Sequence, residues 1–231
     1  MFRQADNSAA LNWPGPIARH PLRDPNNDLT RFIWRLKRLE DLLGGAIALL
    51  AFGLPMGLIA LAIKLDSPGP TLFRQRRIGL HNRDFQMLKF RTMHHCHAEP
   101  ESCTQATRND PRLTRLGAFL RRTSLDELPQ IFNVLRGEMS LVGPRPHAPG
   151  TRAGGRLFEE VVHDYAGRHV MKPGITGLAQ VRGLRGETRT EDALVQRVES
   201  DFEYIRRWSL GLDLLILLRT AICVLRMRNA Y

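Results

Sequence analysis

Cysteine is scarce. The 231 residues contain three, Cys96, Cys103 and Cys223, too few and too scattered for a disulfide framework, so the chain is expected in a reducing compartment. Aromatics are thin as well: three Trp and three Tyr supply no base-stacking series, which argues against nucleic acid as a partner. No two of the twelve aspartates are separated by one residue, so the D-x-D cation motif of many nucleotide-sugar glycosyltransferases is missing. There is no Walker sequence and no G-x-G-x-x-G after a strand, and "GEMSLVG" is not the serine-hydrolase elbow. No internal repeat or low-complexity tract occurs. The first thirty residues carry Pro, Asn and Asp and lack an apolar core, so 1–30 reads as a flexible tail and not as a cleavable signal peptide.

What the chain has in excess is arginine. Of 34 basic residues 30 are Arg and 4 are Lys, and the formal net charge is +11. The planar guanidinium fork grips phosphate through two parallel hydrogen bonds, so anionic partners are implied. GC-rich codon usage with a solvated basic surface explains the same composition, and only the positions of the arginines separate the two.

From Leu42 to Ile63, 22 residues run without a charge, long enough to cross the hydrocarbon core of a bilayer. Both flanks are basic, with Arg31, Arg35, Lys37 and Arg38 before the run and Lys64, Arg74, Arg76 and Arg77 after it. Cytoplasmic loops collect positive charge, so the flanks together place both ends on one side. Pro55 removes an amide donor and supplies a kink. We read a re-entrant membrane helix at about 37–65, against an ordinary kinked span. Near the C-terminus, "WSLGLDLLILLRTAICVLRMRNAY" carries Ser209, Asp213 and Thr220 on one narrow stripe. That helix is either interfacial, with its apolar face in lipid, or part of the core.

Between these segments, "SPGP" at Ser67–Pro70 reads as a turn and "FQMLKFRTM" as a strand. Period-two geometry places Lys89 and Arg91 on one face of that strand. "DPRLTRLGAFLRR" gives a short helix, and a second begins near Ser124 or Asp126 and stops at Gly137. Ser124 and Glu127 fit a capping box, which sets Asp126 and Glu127 at a helix amino end, where anions are favoured. The stretch from Arg74 to Arg145 holds thirteen Lys or Arg and seven Asp or Glu, so these acids lie in positive surroundings. Arg145 sits between two prolines on a stiff, extended support suited to phosphate. Adjacent helical residues diverge by about 100°, which suits separate roles: one carboxylate as nucleophile toward phosphorus, the other holding a hard cation such as Mg²⁺. "HHCHAEPESC", His94–Cys103, matches no standard zinc spacing and reads as a polar loop.

"SLDELPQIFNVLRGEMSLVGPRP", together with "SPGP", "LKFRTM", "DPRLTRLGAFLRRTS" and "KPGITGLAQVRG", closely resembles the bacterial sugar transferase family, the monotopic polyprenyl-phosphate phosphoglycosyl transferases. The resemblance runs in order from about Lys37 to Tyr231. It implies an α+β, predominantly helical fold: a small membrane-embedded catalytic domain at 31–231, with an N-terminal re-entrant helix and interfacial amphipathic helices, its catalytic part at about 66–231. The implied reaction moves a sugar 1-phosphate from a UDP-sugar to undecaprenyl phosphate. By this resemblance Asp126 forms a covalent phosphosugar intermediate, Glu127 associates with Mg²⁺, and Lys89, Arg145 and, more weakly, Arg91 hold phosphate. The implied location is the bacterial inner membrane, facing the cytoplasm, and self-association as a homodimer is left open. Two features depart from relatives. Leu54-Pro55 stands where several have Ser-Pro, and the "GLHNRDF" turn lacks a common glycine, with Asn82 as its expected left-handed stand-in. The extra N-terminal membrane domain of many relatives is not expected here. The competing readings are a lipid-linked glycosyltransferase that releases UDP and a non-enzymatic, membrane-tethered basic adaptor.

Overall fold

The computed structural model of the chain describes residues 28–94, 110–186, 188 and 190–225. The expected tail before residue 28, the His/Cys stretch after His94 and the basic C-terminus lie outside them. The apolar run lies within one long helix, α1 (Asp28–Asp66), continuous through Pro55 and long and apolar enough to cross a membrane. A hairpin follows, β1 (Leu72–Ile78) antiparallel to β2 (Asp84–Phe90), with Leu72 opposite Phe90 and Ile78 opposite Asp84. Its turn places His81 and Asn82 at φ 54° and 59°, so the left-handed position expected at Asn82 is present and His81 shares it.

Helix α2 (Arg115–Thr123) begins on Thr114, whose hydroxyl accepts from Gly117 N at 2.9 Å. A 3₁₀ turn, Leu125–Glu127, leads into α3 (Gln130–Arg136), which ends at Gly137 with φ 85°. Next come β3 (Ser140–Val142), the short hairpin β4 (Arg152–Ala153) and β5 (Arg156–Leu157), and α4 (Phe158–Val161). A 3₁₀ segment, Tyr165–Val170, precedes β6 (Gly174–Thr176), which pairs in parallel with β3. The chain then forms α5 (Leu178–Val181), α6 (Glu191–Arg207) and α7 (Leu210–Leu225). With three two-stranded sheets among seven helices, the described residues form a mixed, mainly helical α+β fold.

Two apolar clusters hold it together. One gathers Leu194, Val198, Phe202 and Ile205 of α6 with Val142, Phe158, Tyr165 and Ile216. The other packs Met56 and Ile63 of α1 against Phe90, Leu120 and Ile131. Near its amino end α1 is also tied by polar contacts. Arg38 donates to the carbonyls of Val134 and Leu135 at the end of α3, both at 2.7 Å. Asp41 accepts from Ser140 Oγ and Leu141 N, and the Lys37 ammonium donates to Asp213 at 2.6 Å. Two of the three residues of the polar stripe expected on the last helix face inward: Asp213 is buried, and Thr220 meets Thr176 at 2.6 Å, while Ser209 is exposed and accepts from Leu212 N at the start of the helix. Leu214, Leu215, Leu218 and Ile222 remain exposed, as do Ile47, Leu50, Leu54, Leu58, Leu61 and Leu65 on α1.

Candidate active site

Three chain segments build the site around the 3₁₀ turn. α2 ends at Ser124, whose left-handed φ of 63° reverses the chain so that Asp126 and Glu127 follow at once, both buried. The expected capping box does not form. Ser124 makes no side-chain cap, its hydroxyl instead accepts from Arg185 Nη1 at 2.7 Å, and the helix proper starts after Pro129. The reason is local: a serine in left-handed backbone is not in the extended geometry that an N-cap requires. The Glu127 carboxylate is engaged elsewhere.

β2 supplies Lys89 and is fixed to α3 by Asn133, whose Oδ1 accepts from Leu88 N at 3.0 Å and whose Nδ2 donates to Gln86 O at 2.8 Å. That side chain bonds to the strand as a neighbouring backbone would, setting Lys89 opposite the acids. Arg145 comes from the Pro-Arg-Pro loop. Its carbonyl accepts from Arg168 Nη2 at 2.7 Å, and Arg168 is itself held by Asp201 and the Tyr165 hydroxyl. A buried ion pair thus steadies the loop from behind.

Glu127 is where these pieces meet. Its Oε1 accepts from Lys89 Nζ at 3.1 Å and from Arg145 Nη2 at 2.8 Å, and its Oε2 accepts from Arg185 Nη2 at 2.9 Å. Burial alone would raise its pKa, but Arg145, Lys89 and Arg185 hold it well below the usual carboxylate range. Asp126 moves the other way. Burial raises it, with Glu127 adding to the rise, while Lys89, Arg121 and Arg185 oppose it. The two neighbouring acids are thus electrostatically different: one locked as an anion among cations, the other a desolvated carboxylate in a positive field.

Of the residues singled out from sequence, Lys89, Arg145, Asp126 and Glu127 come together. Arg91 does not, and that expectation is corrected. Its guanidinium donates to the carbonyls of Ile63, Ser67 and Pro68 and to Ser67 Oγ, at 2.6 to 3.2 Å. The carbonyls at the end of a helix lack intrahelical donors, and the end of α1 claims this side chain before any ligand does. Pro55 lies within α1, away from the acids in the chain and in role. Arg185 was missed. It follows a run of glycines read as turns, and its one signal was a cation with no acid beside it in "GLRG".

A hard divalent cation takes one or two carboxylates and completes its shell with water and substrate phosphate. The adjacent carboxylates of Asp126 and Glu127 fit that usage. Among the described residues no group of three or more His, Cys, Asp or Glu side chains gathers to hold a metal by protein donors alone.

The family model described as bacterial sugar transferase matches residues 32–227. An undecaprenyl-phosphate glucose phosphotransferase of Komagataeibacter xylinus is 53% identical over 223 residues, 95% of this chain and 42% of the relative. A UDP-glucose:undecaprenyl-phosphate glucose-1-phosphate transferase of Caulobacter vibrioides is 51% identical over 218 residues, 94% of this chain and 80% of the relative. An exopolysaccharide production protein of Rhizobium leguminosarum bv. phaseoli is 48% identical over 187 residues, 81% of this chain and 94% of the relative. The chain thus spans well under half of the first of these and most of the other two. A match over nearly the whole chain, joined to acids and cations gathered at one turn, means that the chain belongs to the bacterial sugar transferase family.

Proposed function

We propose that the protein transfers a sugar 1-phosphate from a UDP-sugar to undecaprenyl phosphate, giving undecaprenyl-diphosphate-sugar and UMP, the step that begins a bacterial surface glycan or exopolysaccharide. The observation that carries this reading is the contrast between Asp126 and Glu127, a desolvated carboxylate beside one fixed among three cations. Relatives named for glucose make UDP-glucose the donor to test first.

The chemistry runs as two displacements. An oxygen of the Asp126 carboxylate attacks the sugar-bearing phosphorus, the bond from that phosphorus to the bridging oxygen breaks, and UMP leaves with that oxygen. The aspartyl phosphosugar is an acyl phosphate. An oxygen of the lipid phosphate then attacks the same phosphorus and the Asp126 carboxylate departs unchanged. Neither displacement needs a general base, because a carboxylate and a phosphate monoester both attack as anions. Lys89, Arg145 and Arg185 exchange Glu127 for the diphosphate oxygens and neutralise charge where it develops. Glu127 would hold Mg²⁺, which when bound would supply further charge neutralisation at the diphosphate.

The lipid substrate calls for a membrane position. The ends of the apolar run in α1 are bonded to the same polar body, Lys37 and Arg38 on one side and Ile63 and Ser67, through Arg91, on the other. A straight span would separate those ends by about 30 Å of hydrocarbon, which is what favours a re-entrant helix with both ends facing the cytoplasm at the inner membrane. The exposed leucines of α1 and α7 suit the acyl layer.

Incubating the membrane-reconstituted chain with UDP-glucose and undecaprenyl phosphate tests the reaction. UMP and a lipid diphosphate sugar are expected, with an acyl phosphate on the peptide containing Asp126 detectable by mass spectrometry when acceptor is omitted. Release of UDP, or full turnover by Asp126→Asn, overturns the reading.

A further inference from the structure

Arg77 stands next to the site with a charge that no ion pair among the described residues balances. In the hairpin register Phe73 faces Lys89 and Arg77 faces Phe85, and the period of two puts Phe73, Gln75 and Arg77 on the same face as Lys89. The end of β1 is fastened to the Pro-Arg-Pro loop, because Ile78 N donates to His147 O at 3.1 Å. This brings the Arg77 guanidinium beside Arg145.

Its contacts there are neutral and incomplete. Nη2 donates to Gln75 Oε1 at 2.5 Å, Nη1 reaches the Pro146 carbonyl at a long 3.4 Å, and Nε is buried with no partner. Among the described residues it forms no ion pair, whereas Lys89, Arg145 and Arg185 each pair with Glu127 and Arg168 pairs with Asp201. Burial lowers its pKa to about 10 and Arg145 adds to the fall, with Glu127 only partly opposing. A half-buried guanidinium without an ion pair, its Nε desolvated, is costly to the free protein. Around the two acids the count of cations, Arg77, Arg145, Arg185 and Lys89, leaves an excess that an arriving phosphate would balance.

We propose that Arg77 is a further substrate-binding residue, one that holds a phosphate group beside Arg145, an inference that rests on the phosphosugar-transfer reading. The phosphate is either one of the nucleotide diphosphate pair or the monoester of the polyprenyl lipid. The chemistry of recognition is the same: parallel N–H donors on phosphate oxygens.

Pyrophosphate is the probe, titrated by calorimetry into the detergent-solubilised full chain. Arg77→Met is expected to weaken binding about tenfold or more, the loss typical of a hydrogen bond to a charged group. Its melting temperature without ligand should be equal to or above that of the wild type, because a charge lacking a counterion has been removed. A structural arginine gives the reverse pattern, lower melting with unchanged pyrophosphate affinity, and that result overturns the proposal. If the Met variant does not fold, Arg77→Gln decides by the same affinity comparison. The two phosphate sources are then separated kinetically. A higher UDP-sugar concentration needed for the single burst of UMP formed without acceptor assigns the nucleotide, and a raised KM for undecaprenyl phosphate alone assigns the lipid. Should wild-type protein release UDP, the phosphosugar reading falls, while the pyrophosphate comparison still decides whether Arg77 holds phosphate.

Discussion

Two buried carboxylates, Glu127 and Asp213, each collect three hydrogen-bond donors, yet they are built to opposite ends. Asp213 accepts from Lys37 Nζ at 2.6 Å, from the Tyr204 hydroxyl at 2.8 Å and from Trp208 Nε1 at 2.9 Å, at the junction of α1 with the base of α7. Only one of its donors is charged, Glu40 and Asp41 share that cation, and the carboxylate is sealed from water. All three donors to Glu127 are cations, carried by β2 and two loops, and their side chains are 18 to 26% exposed. An arrangement short of cations has nothing to offer an anion and serves as a clasp between helices. One with cations to spare can release its carboxylate when phosphate arrives. The difference between a structural and a functional ion cluster here lies in the sign of the surplus and in access, not in the number of bonds.

The comparison is broken most severely at the acid next to Glu127. Asp126→Asn keeps the shape but removes the nucleophile, and turnover measured as UMP release should fall by at least about a thousandfold, with pyrophosphate binding retained. Asp213→Asn should instead leave the KM values alone and lower stability by about 1.5–3 kcal/mol, the loss of a charged hydrogen bond to Lys37, which keeps Glu40 and Asp41 as partners. Thermal melting in detergent measures it, and adding pyrophosphate should not restore the loss. Glu127→Gln separates the two clusters most directly. Its removal leaves Lys89, Arg145 and Arg185 facing one another, for a loss of about 2 kcal/mol given their partial exposure, and here pyrophosphate should recover most of the melting temperature. Equal behaviour of the Asp213 and Glu127 variants toward pyrophosphate would erase the distinction.

Arg91 offers a milder test of the same contrast. Its guanidinium serves the end of α1, so Arg91→Met should cost about 1.5–3 kcal/mol in stability while KM for the UDP-sugar stays within twofold or so of wild type. A KM rise without loss of stability would return Arg91 to the phosphate site.

The apolar extent of α1, the β2 strand, the short helix α2 and the glycine stop of α3 were legible because each depends on residues adjacent in the chain. So were Lys89, Arg145 and the paired acids. Arg185 was not, because it lies 58 residues from Glu127 and reaches it only through tertiary folding. Arg91 shows the converse. Strand alternation set it on the right face, but it could not reveal that α1 ends within reach with its carbonyls unsatisfied. The capping box failed for a related reason: the spacing of Ser124 and Glu127 was correct, but the chain reversal after α2 put Ser124 in the left-handed region. Hydropathy left the last helix undecided between core and interface, and only the partners Lys37, Tyr204 and Thr176 show that Asp213 and Thr220 face inward.

The smallest expected effect is also the one that reads the two acids separately. Asp126 has its pKa raised by burial, so the form competent to attack is lost, as pH falls, above the ordinary aspartate range near 3.9. Glu127 is held well below its ordinary value, so the stability it contributes is fully present above the usual glutamate range and disappears only as pH falls through the depressed value. Acidification should therefore silence the first displacement while the cation cluster, and with it the fold, remains intact. A pH profile of kcat/KM for UMP release, run beside thermal melting in the same buffers, checks this order, since kcat/KM reports groups of the free enzyme. Arg121 is among the cations opposing the rise at Asp126, so Arg121→Gln should move the acid limb upward without displacing the melting curve at low pH. Activity and melting that decline together would mean that the acids titrate as a single unit, and the separate roles given to Asp126 and Glu127 would have no basis.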